Sequence, residues 1–296
     1  MKTTALIALM ALSLPALATK LTDYKPYKFE VLFTNPTCAE HRYPTPVLAN
    51  DGTTLVAKPK DVYCKKSDAA SATRSTSSPQ YRLIQWISAA STKEIFLAYL
   101  SFSNEDVATA LCDAARRNVK IGILLDMNPA EEARGATNRV AEGIKRCGTD
   151  VTVYYRGQRG GIGYAHNKVM MINPSDATQV QIVYSSGNLS TGPSINHENW
   201  NFVTTSPQSY FAKVHGCLRE GLVNHGNVKK EFVDHMAACR RAIGKAEETD
   251  IRALFVPGDG KTALDLVRAT ALRSSYVDAT APRLSGAVFC LVTVIL

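Results

Sequence analysis

Residues 157–201 decide the fold: a glycine-rich turn leads into Tyr164-Ala-His166-Asn-Lys168-Val-Met-Met-Ile-Asn173, followed by Ile182-Val-Tyr-Ser-Ser186-Gly-Asn188 and Asn196-His-Glu198-Asn-Trp200. The apolar run 169–172 reads as a strand, and positions two apart on a strand project from one face. His166 and Lys168 therefore point the same way, which sets an imidazole beside a fixed ammonium. An amide (Asn188), a hydroxyl (Ser186) and a carboxylate (Glu198) follow at short spacing.

The pattern on either side of this stretch alternates. Residues 28–33 read as a strand ended by Thr34-Asn-Pro36, and residues 79–91 as a helix with Leu83, Ile84 and Ile87 on its apolar face and Pro79 near its start. The nearly continuous apolar run 94–100 suits a strand covered on both faces. Ser103-Asn-Glu-Asp106 caps a helix reaching about Asn118, 119–126 is the next buried strand, and a helix over 131–146 precedes a strand over 151–155. Two helices, 209–224 and 228–244, follow the central stretch. Strands and helices alternating at this spacing predict an α/β sandwich with a mixed, largely parallel central sheet flanked by helices.

The 296 residues are 45% apolar and 20% charged, enough for one large core or two modest ones and contrary to wholesale disorder. A formal charge of +8 favours an anionic partner, a phospholipid headgroup or membrane surface or a nucleic acid. Lys2, the apolar run 5–14, Pro15 and Ala16-Leu17-Ala18 have the order of a secretory signal cut after Ala18, and the run is too short to span a bilayer. The expectation is a signal peptide over 1–18 and a secreted or periplasmic protein. Export makes the seven cysteines candidates for disulfides. Cys38 with Cys64, Cys112 with Cys147 and Cys217 with Cys239 are the sequence-local pairs, with Cys290 left over, although six cysteines allow fifteen arrangements.

Three other patterns invite a binding-site reading. Gly258-Asp-Gly260-Lys261-Thr262 has the end of a phosphate-binding loop, but Phe255 stands where its first glycine belongs. Gly157-Gln-Arg-Gly160-Gly161-Ile-Gly163 precedes a strand, not a helix, so it reads as a rim loop bringing Arg156 and Arg159 toward an anion rather than as a dinucleotide fingerprint. His235 and Cys239, with His215 and Cys217 nearby, have zinc-like spacing, against which stands a Cys217–Cys239 disulfide.

His166-x-Lys168, the Ser185-Ser186-Gly187-Asn188 turn and Asn196-His-Glu198 fall in order within about 33 residues. This set resembles the half-site of the phospholipase D superfamily, with Asn173 where the family has aspartate and serine replacing the glycine of its G-S-x-N turn. The resemblance implies that His166 attacks phosphorus to give a phosphohistidine, that Lys168 and Asn188 hold the phosphoryl oxygens, that Glu198 fixes the imidazole tautomer, and that Ser186 supports it with its hydroxyl. It implies no cofactor and no metal. The aspartate replaced by Asn173 looks structural more than chemical in the family.

Residues 19–246 are the expected phosphodiesterase domain. Ile251-Arg-Ala-Leu254-Phe255-Val-Pro257 and a helix over 261–274 echo residues 30–36 and 79–91, so 247–296 reads as the partial start of a second, truncated repeat; the apolar tail 287–296 reads as an unfinished core segment or frayed end. Family members with one half-site complete it as homodimers, which the resemblance implies here. The expected activity is hydrolysis of phospholipid phosphodiesters. A nonspecific endonuclease on the same fold, or a non-catalytic phosphate- or membrane-binding relative, is the alternative.

Overall fold

Glu94–Tyr99 (β2), Lys120–Asp126 (β3) and Lys168–Ile172 (β5) are almost wholly apolar, and the fold places them side by side at the middle of one sheet. The computed structural model describes residues 27–34, 78–127, 136–157, 162–190, 198–244, 251–273 and 291–295. The other strands of the sheet are β1 (Lys28–Thr34), β4 (Val151–Arg156), β6 (Val180–Ser185) and β7 (Glu198–Thr205), and the order is β1-β7-β6-β5-β2-β3-β4.

Both faces of the sheet are covered, which is why its central strands carry no polar alternation. On one side, Leu83 and Ile87 of α1 (Pro79–Ser88), Val107, Leu111 and Ala114 of α2 (Glu105–Arg116), and Ala141 and Ile144 of α3 (Ala136–Lys145) pack on Ile95, Leu97, Ile123, Met170 and Phe202. On the other, Phe211, Val214 and Leu218 of α4 (Tyr210–His225) and Phe232 and Met236 of α5 (Lys229–Ile243) pack on Phe96, Ala98, Leu124, Val169 and Met171. Neighbouring residues of β2 thus enter different cores, as the period of two requires.

Local chemistry places the helix starts. Ser78 accepts the Tyr81 N–H at 3.4 Å with Pro79 in the first turn, Asn104 accepts the Val107 N–H at 3.0 Å, and Ser209 accepts the Ala212 N–H at 3.1 Å. The observed helices start and stop within a few residues of their expected positions; residues 128–135, where the third was expected to begin, lie outside the described residues.

The sandwich of helices around a mixed sheet is as expected, but the balance within the sheet differs from the largely parallel arrangement. Only β2–β3 and β3–β4 pair in parallel, and the other four pairings are antiparallel. The reason is connection length. A parallel return needs a dozen or more residues, which α2 and α3 supply, whereas only residues 173–179 join β5 to β6. There Asp176 Oδ1 accepts the N–H groups of Thr178 at 2.6 Å and Gln179 at 3.0 Å, an Asx turn that reverses the chain at once.

Asn173 closes β5 at the far end from His166, at left-handed φ 53°, a conformation asparagine tolerates. Its Oδ1 accepts the N–H groups of Lys93 at 2.7 Å and Glu94 at 3.1 Å, and its Nδ2 donates to the Ser91 carbonyl at 2.9 Å. The side chain thus ties the β5–β6 turn to the start of β2. Seven residues of extended chain separate it from His166, roughly 20 Å.

Cys112 and Cys147 form one disulfide, and Cys217 and Cys239 another. Cys38, Cys64 and Cys290 lie outside the described residues. The segment read as a repeat start forms β8 (Ile251–Phe255), α6 (Gly260–Arg273) and β9 (Leu291–Ile295), with β8 and β9 antiparallel. Phe255 joins the α4–α5 core. The loop before α6 is a plain helix start, with Asp259 accepting the Phe255 N–H at 2.7 Å and pairing with Arg240 at 2.6 Å. No helix of the described residues is long and apolar enough to cross a membrane.

Replacing Asn173 by alanine removes three hydrogen bonds and leaves a left-handed backbone without its preferred residue; it is expected to lower unfolding free energy by roughly 2 kcal/mol. Asn173→Asp, which keeps the acceptor but not the donor to Ser91, should cost less. Urea unfolding reads the loss, and turnover of the folded variants should equal wild type if the residue is structural.

Candidate active site

The strand order brings one set of strand ends together. Tyr99, ending β2, lies opposite Lys168, beginning β5; Tyr99 also lies opposite Leu125, which precedes Asp126 at the end of β3. Val169 faces Tyr184 on β6, Ser185 faces Trp200 on β7, and Thr34 of β1 faces Glu198. His166, Lys168, Ser186 and Glu198 therefore gather at one end of the sheet, with Asn188 just beyond β6.

His166 stands two residues before Lys168, in the extended lead-in to β5 rather than within the strand as expected. The same-face reading holds: Lys168 Nζ lies 3.2 Å from His166 Nδ1 and 3.1 Å from Nε2. The in-plane lone pairs of the two nitrogens diverge, so an ammonium this close to both stands over the ring rather than on either nitrogen's axis. Lys168 is buried, and His166 is half-buried.

Burial first, and the Lys168 cation second, push the His166 imidazole down to about 4, with Asp126 pulling the other way. The ring is accordingly neutral at pH 7, the state in which a nitrogen lone pair can attack. Burial also pushes the Tyr99 phenol up.

Glu198 is half-buried and accepts the Ser186 hydroxyl at 2.5 Å, and the same hydroxyl oxygen accepts the Asn199 N–H at 3.0 Å. Ser186 thus bridges β6 and the start of β7, in contact with the carboxylate it was expected to support. Asn188 is half-buried; its Oδ1 is buried and has no hydrogen-bond partner among the described residues. Residues 191–197, with Asn196, lie outside the described residues.

Asp126 was not singled out from sequence. It is fully buried and its Oδ2 accepts the Ala165 N–H, one residue before His166, at 2.6 Å. Gly157, at φ 88°, gives it room: a Cβ there would stand 2.6 Å from Asp126 Oδ2 and 2.7 Å from the Ala165 nitrogen. A carboxylate closing an apolar strand at the carboxyl end of a parallel pair was the available signal, since ligands gather at such ends.

Arg156 does not reach toward the site as the rim-loop reading supposed. Its guanidinium donates to the Val223 carbonyl at the end of α4, through Nε at 3.0 Å and also through Nη2, and lies over the Tyr154 ring. The C-terminal carbonyls of a helix attract a cation, which accounts for the turn away. Arg159 lies outside the described residues. The zinc-like group is occupied otherwise: Glu220, His235 and Cys239 offer ligand atoms within 4.8 Å of one another, but the Cys239 sulfur is bonded to Cys217. His215 is buried between Phe211 and Phe255, its Nδ1 donating to the Phe211 carbonyl at 2.8 Å. A cavity of about 220 Å³ at the opposite end of β2–β4 is lined by Glu94, Lys120 and Arg219 among others. There Glu94 pairs with Arg219 at 3.1 Å, so its charges satisfy one another and offer no nucleophile.

Residues 83–214, which hold all five expected site residues, match the family model described as Cardiolipin synthase, PLD-like domain. No curated protein matches the sequence. Among solved structures, the chain is similar to a phospholipase D family member, Nuc from Salmonella typhimurium, at 16% identity and TM-score 0.40, over 75% of this chain and 99% of that one. NucT from Helicobacter pylori is similar at 23% identity and TM-score 0.35, over 42% and 76%. Phosphatidylserine synthase of Haemophilus influenzae Rd KW20 is similar at 12% identity and TM-score 0.39, over 60% and 46%.

Two consequences are measurable. In NMR titrations His166 should protonate near pH 4, and Lys168→Met, which removes a repelling cation, should move that midpoint upward toward 6.5. His166 and His215 both sit at about 4 when folded, below the ordinary 6.5, so between those values the unfolded chain binds more protons. Stability from these two groups is then complete above about pH 6.5 and is lost as pH falls toward 4; a melting temperature that holds constant across that window would contradict it.

Proposed function

We propose, taking the likeness of residues 83–214 to a PLD-like domain as the premise, that this chain is a phospholipase D-type enzyme that hydrolyses phosphodiester bonds of phospholipids through a covalent phosphohistidine on His166. The observation that carries this is the neutral imidazole held 3.1 Å from a buried ammonium, at the end of the sheet where Ser186 and Glu198 also lie. The family model's description names an enzyme of phospholipid chemistry, which favours a phosphatidyl substrate over other diesters.

A ring nitrogen of His166 attacks phosphorus in line with the leaving oxygen. The P–N bond forms as the P–O bond breaks, and a second histidine gives its proton to the departing alkoxide. That histidine, now neutral, takes a proton from water, whose oxygen attacks phosphorus and releases His166. Lys168 and Asn188 offset charge on the non-bridging oxygens. Glu198, steadied by the Ser186 hydroxyl, orients the imidazole. The second histidine is His166 of another copy, brought across a two-fold axis, since a self-complementary contact presents the same strand ends from both subunits; the anionic diester bound between the two rings favours the protonated form of that second ring, which is neutral without it. The two disulfides suit an exported protein, secreted or periplasmic.

The formal charge of +8 supports a second reading on the same chemistry, a nonspecific endonuclease, because a polyanion gains most from a basic surface. Wild type and His166→Ala, assayed on phosphatidylcholine vesicles and on plasmid DNA, separate the two. Headgroup release that falls at least about a thousandfold in the variant is expected. Plasmid cleavage alone moves the assignment to a nuclease, and turnover of neither, with retained vesicle or phosphate binding, indicates a non-catalytic relative. Sedimentation should find a dimer, and fully active monomer would contradict the shared site.

A further inference from the structure

We propose that Asp126 is the positioning residue for His166: by holding the Ala165 N–H at the end of β3, its buried carboxylate sets where the imidazole stands relative to Lys168. The role rests on the reading of His166 as the nucleophile but adds a residue from a different strand to it. Three observations support it.

First, the contact is local to the nucleophile. Ala165 is itself fully buried, so its N–H needs a partner, and the acceptor it uses is a carboxylate at 2.6 Å rather than a neighbouring strand. The chain enters β5 through this fixed point, two residues after Gly163, which stands at φ 95°. Second, the surroundings are shaped around the carboxylate. Gly157 follows β4 at φ 88°, and any side chain there would meet Asp126 Oδ2 and the Ala165 nitrogen together, so β3, β4 and the lead-in to β5 close on one another only with glycine at 157.

Third, the carboxylate answers an electrostatic need. His166 is faced by Lys168 from the start of β5 and by Asp126 from β3, while Tyr99 ends β2 and Glu198 begins β7 at the same end of the sheet. Arg156, ending β4, is turned to α4. Burial and then Lys168 disfavour the imidazolium; Asp126 favours it. A histidine that alternates between neutral and protonated forms needs both influences, and with Lys168 alone the protonated form would be harder still to reach.

Asp126→Asn tests this, because it exchanges the charge-assisted hydrogen bond to the Ala165 N–H for a weaker neutral one, loosening the hold as it removes the charge. The expected result on a phosphodiester substrate is a kcat about ten- to a hundredfold lower with KM within about twofold, and an acid limb of the pH–rate profile displaced to lower pH. Gly157→Ala, which displaces the carboxylate without removing it, should lower kcat in the same way. A purely structural strap would lower the melting temperature yet leave kcat, measured well below that temperature, and the acid limb as in wild type; that outcome overturns the proposal. Should the wild-type protein turn over no diester, the functional reading fails separately, and nitrogen-15 spectra still decide the point: the His166 ring and Ala165 amide resonances must move in Asp126→Asn at neutral pH, and unchanged resonances refute the role.

Discussion

Lys168 holds its ammonium over the His166 ring in a place that water barely reaches, and the rest of the site has to accommodate that pair. Burial of the imidazole lowers its affinity for a proton, and the cation held beside it lowers that affinity further. At neutral pH the result is an uncharged nitrogen nucleophile beside a positive charge already in place for an anionic phosphoryl group. A freely solvated histidine would be mixed in protonation state near neutral pH, and loosely oriented against its lysine. Here the orientation comes from the backbone, since alternation along an extended segment gives both residues the same face.

Strand direction is what makes the pair useful. Because β5 runs antiparallel to β2, its beginning lies beside the ends of β2 and β3, and Lys168 stands opposite Tyr99 with Asp126 close by. Had β5 run parallel to β2, His166 would stand at the end of the sheet that carries Glu94 and Lys120, next to an ion pair and far from any carboxylate on β3. The short turn after Asn173 then returns β6 to the same end, bringing Ser186 and Asn188, and β7 leaves from it with Glu198. A left-handed asparagine and an Asx turn, well away from the chemistry, therefore decide which side chains can meet.

Much of this was readable from residue order, and the parts that were not have physical reasons. Apolar runs such as 94–100 and 119–126 announce strands covered on both faces, and caps such as Asn104 and Ser209 mark helix starts through hydrogen bonds local in sequence. Strand direction is not local, and an apolar run looks the same whichever way its neighbour points; the balance of parallel and antiparallel pairs follows only once the 173–179 connection is recognised as too short for a crossover. The pairing of His166 with Lys168 followed from spacing, and that of Ser186 with Glu198 from the family resemblance. Asp126 did not, because its partner Ala165 is 39 residues away and offers only a backbone N–H, which no side-chain pattern reveals. Arg156 misled for the opposite reason: its position at the end of β4 suggested an anion, but the carbonyls ending α4 compete for the guanidinium and hold it.

The central claim is that the His166 imidazole itself bonds to phosphorus. Rapid denaturing quench of the enzyme during turnover of a phosphorus-labelled diester, followed by peptide mapping under alkaline conditions, tests it most directly. The account predicts an acid-labile, alkali-stable phosphoryl adduct on His166 that forms and decays at rates matching turnover. A label on Ser186 or any other side chain, or full turnover with no adduct on His166, would contradict it.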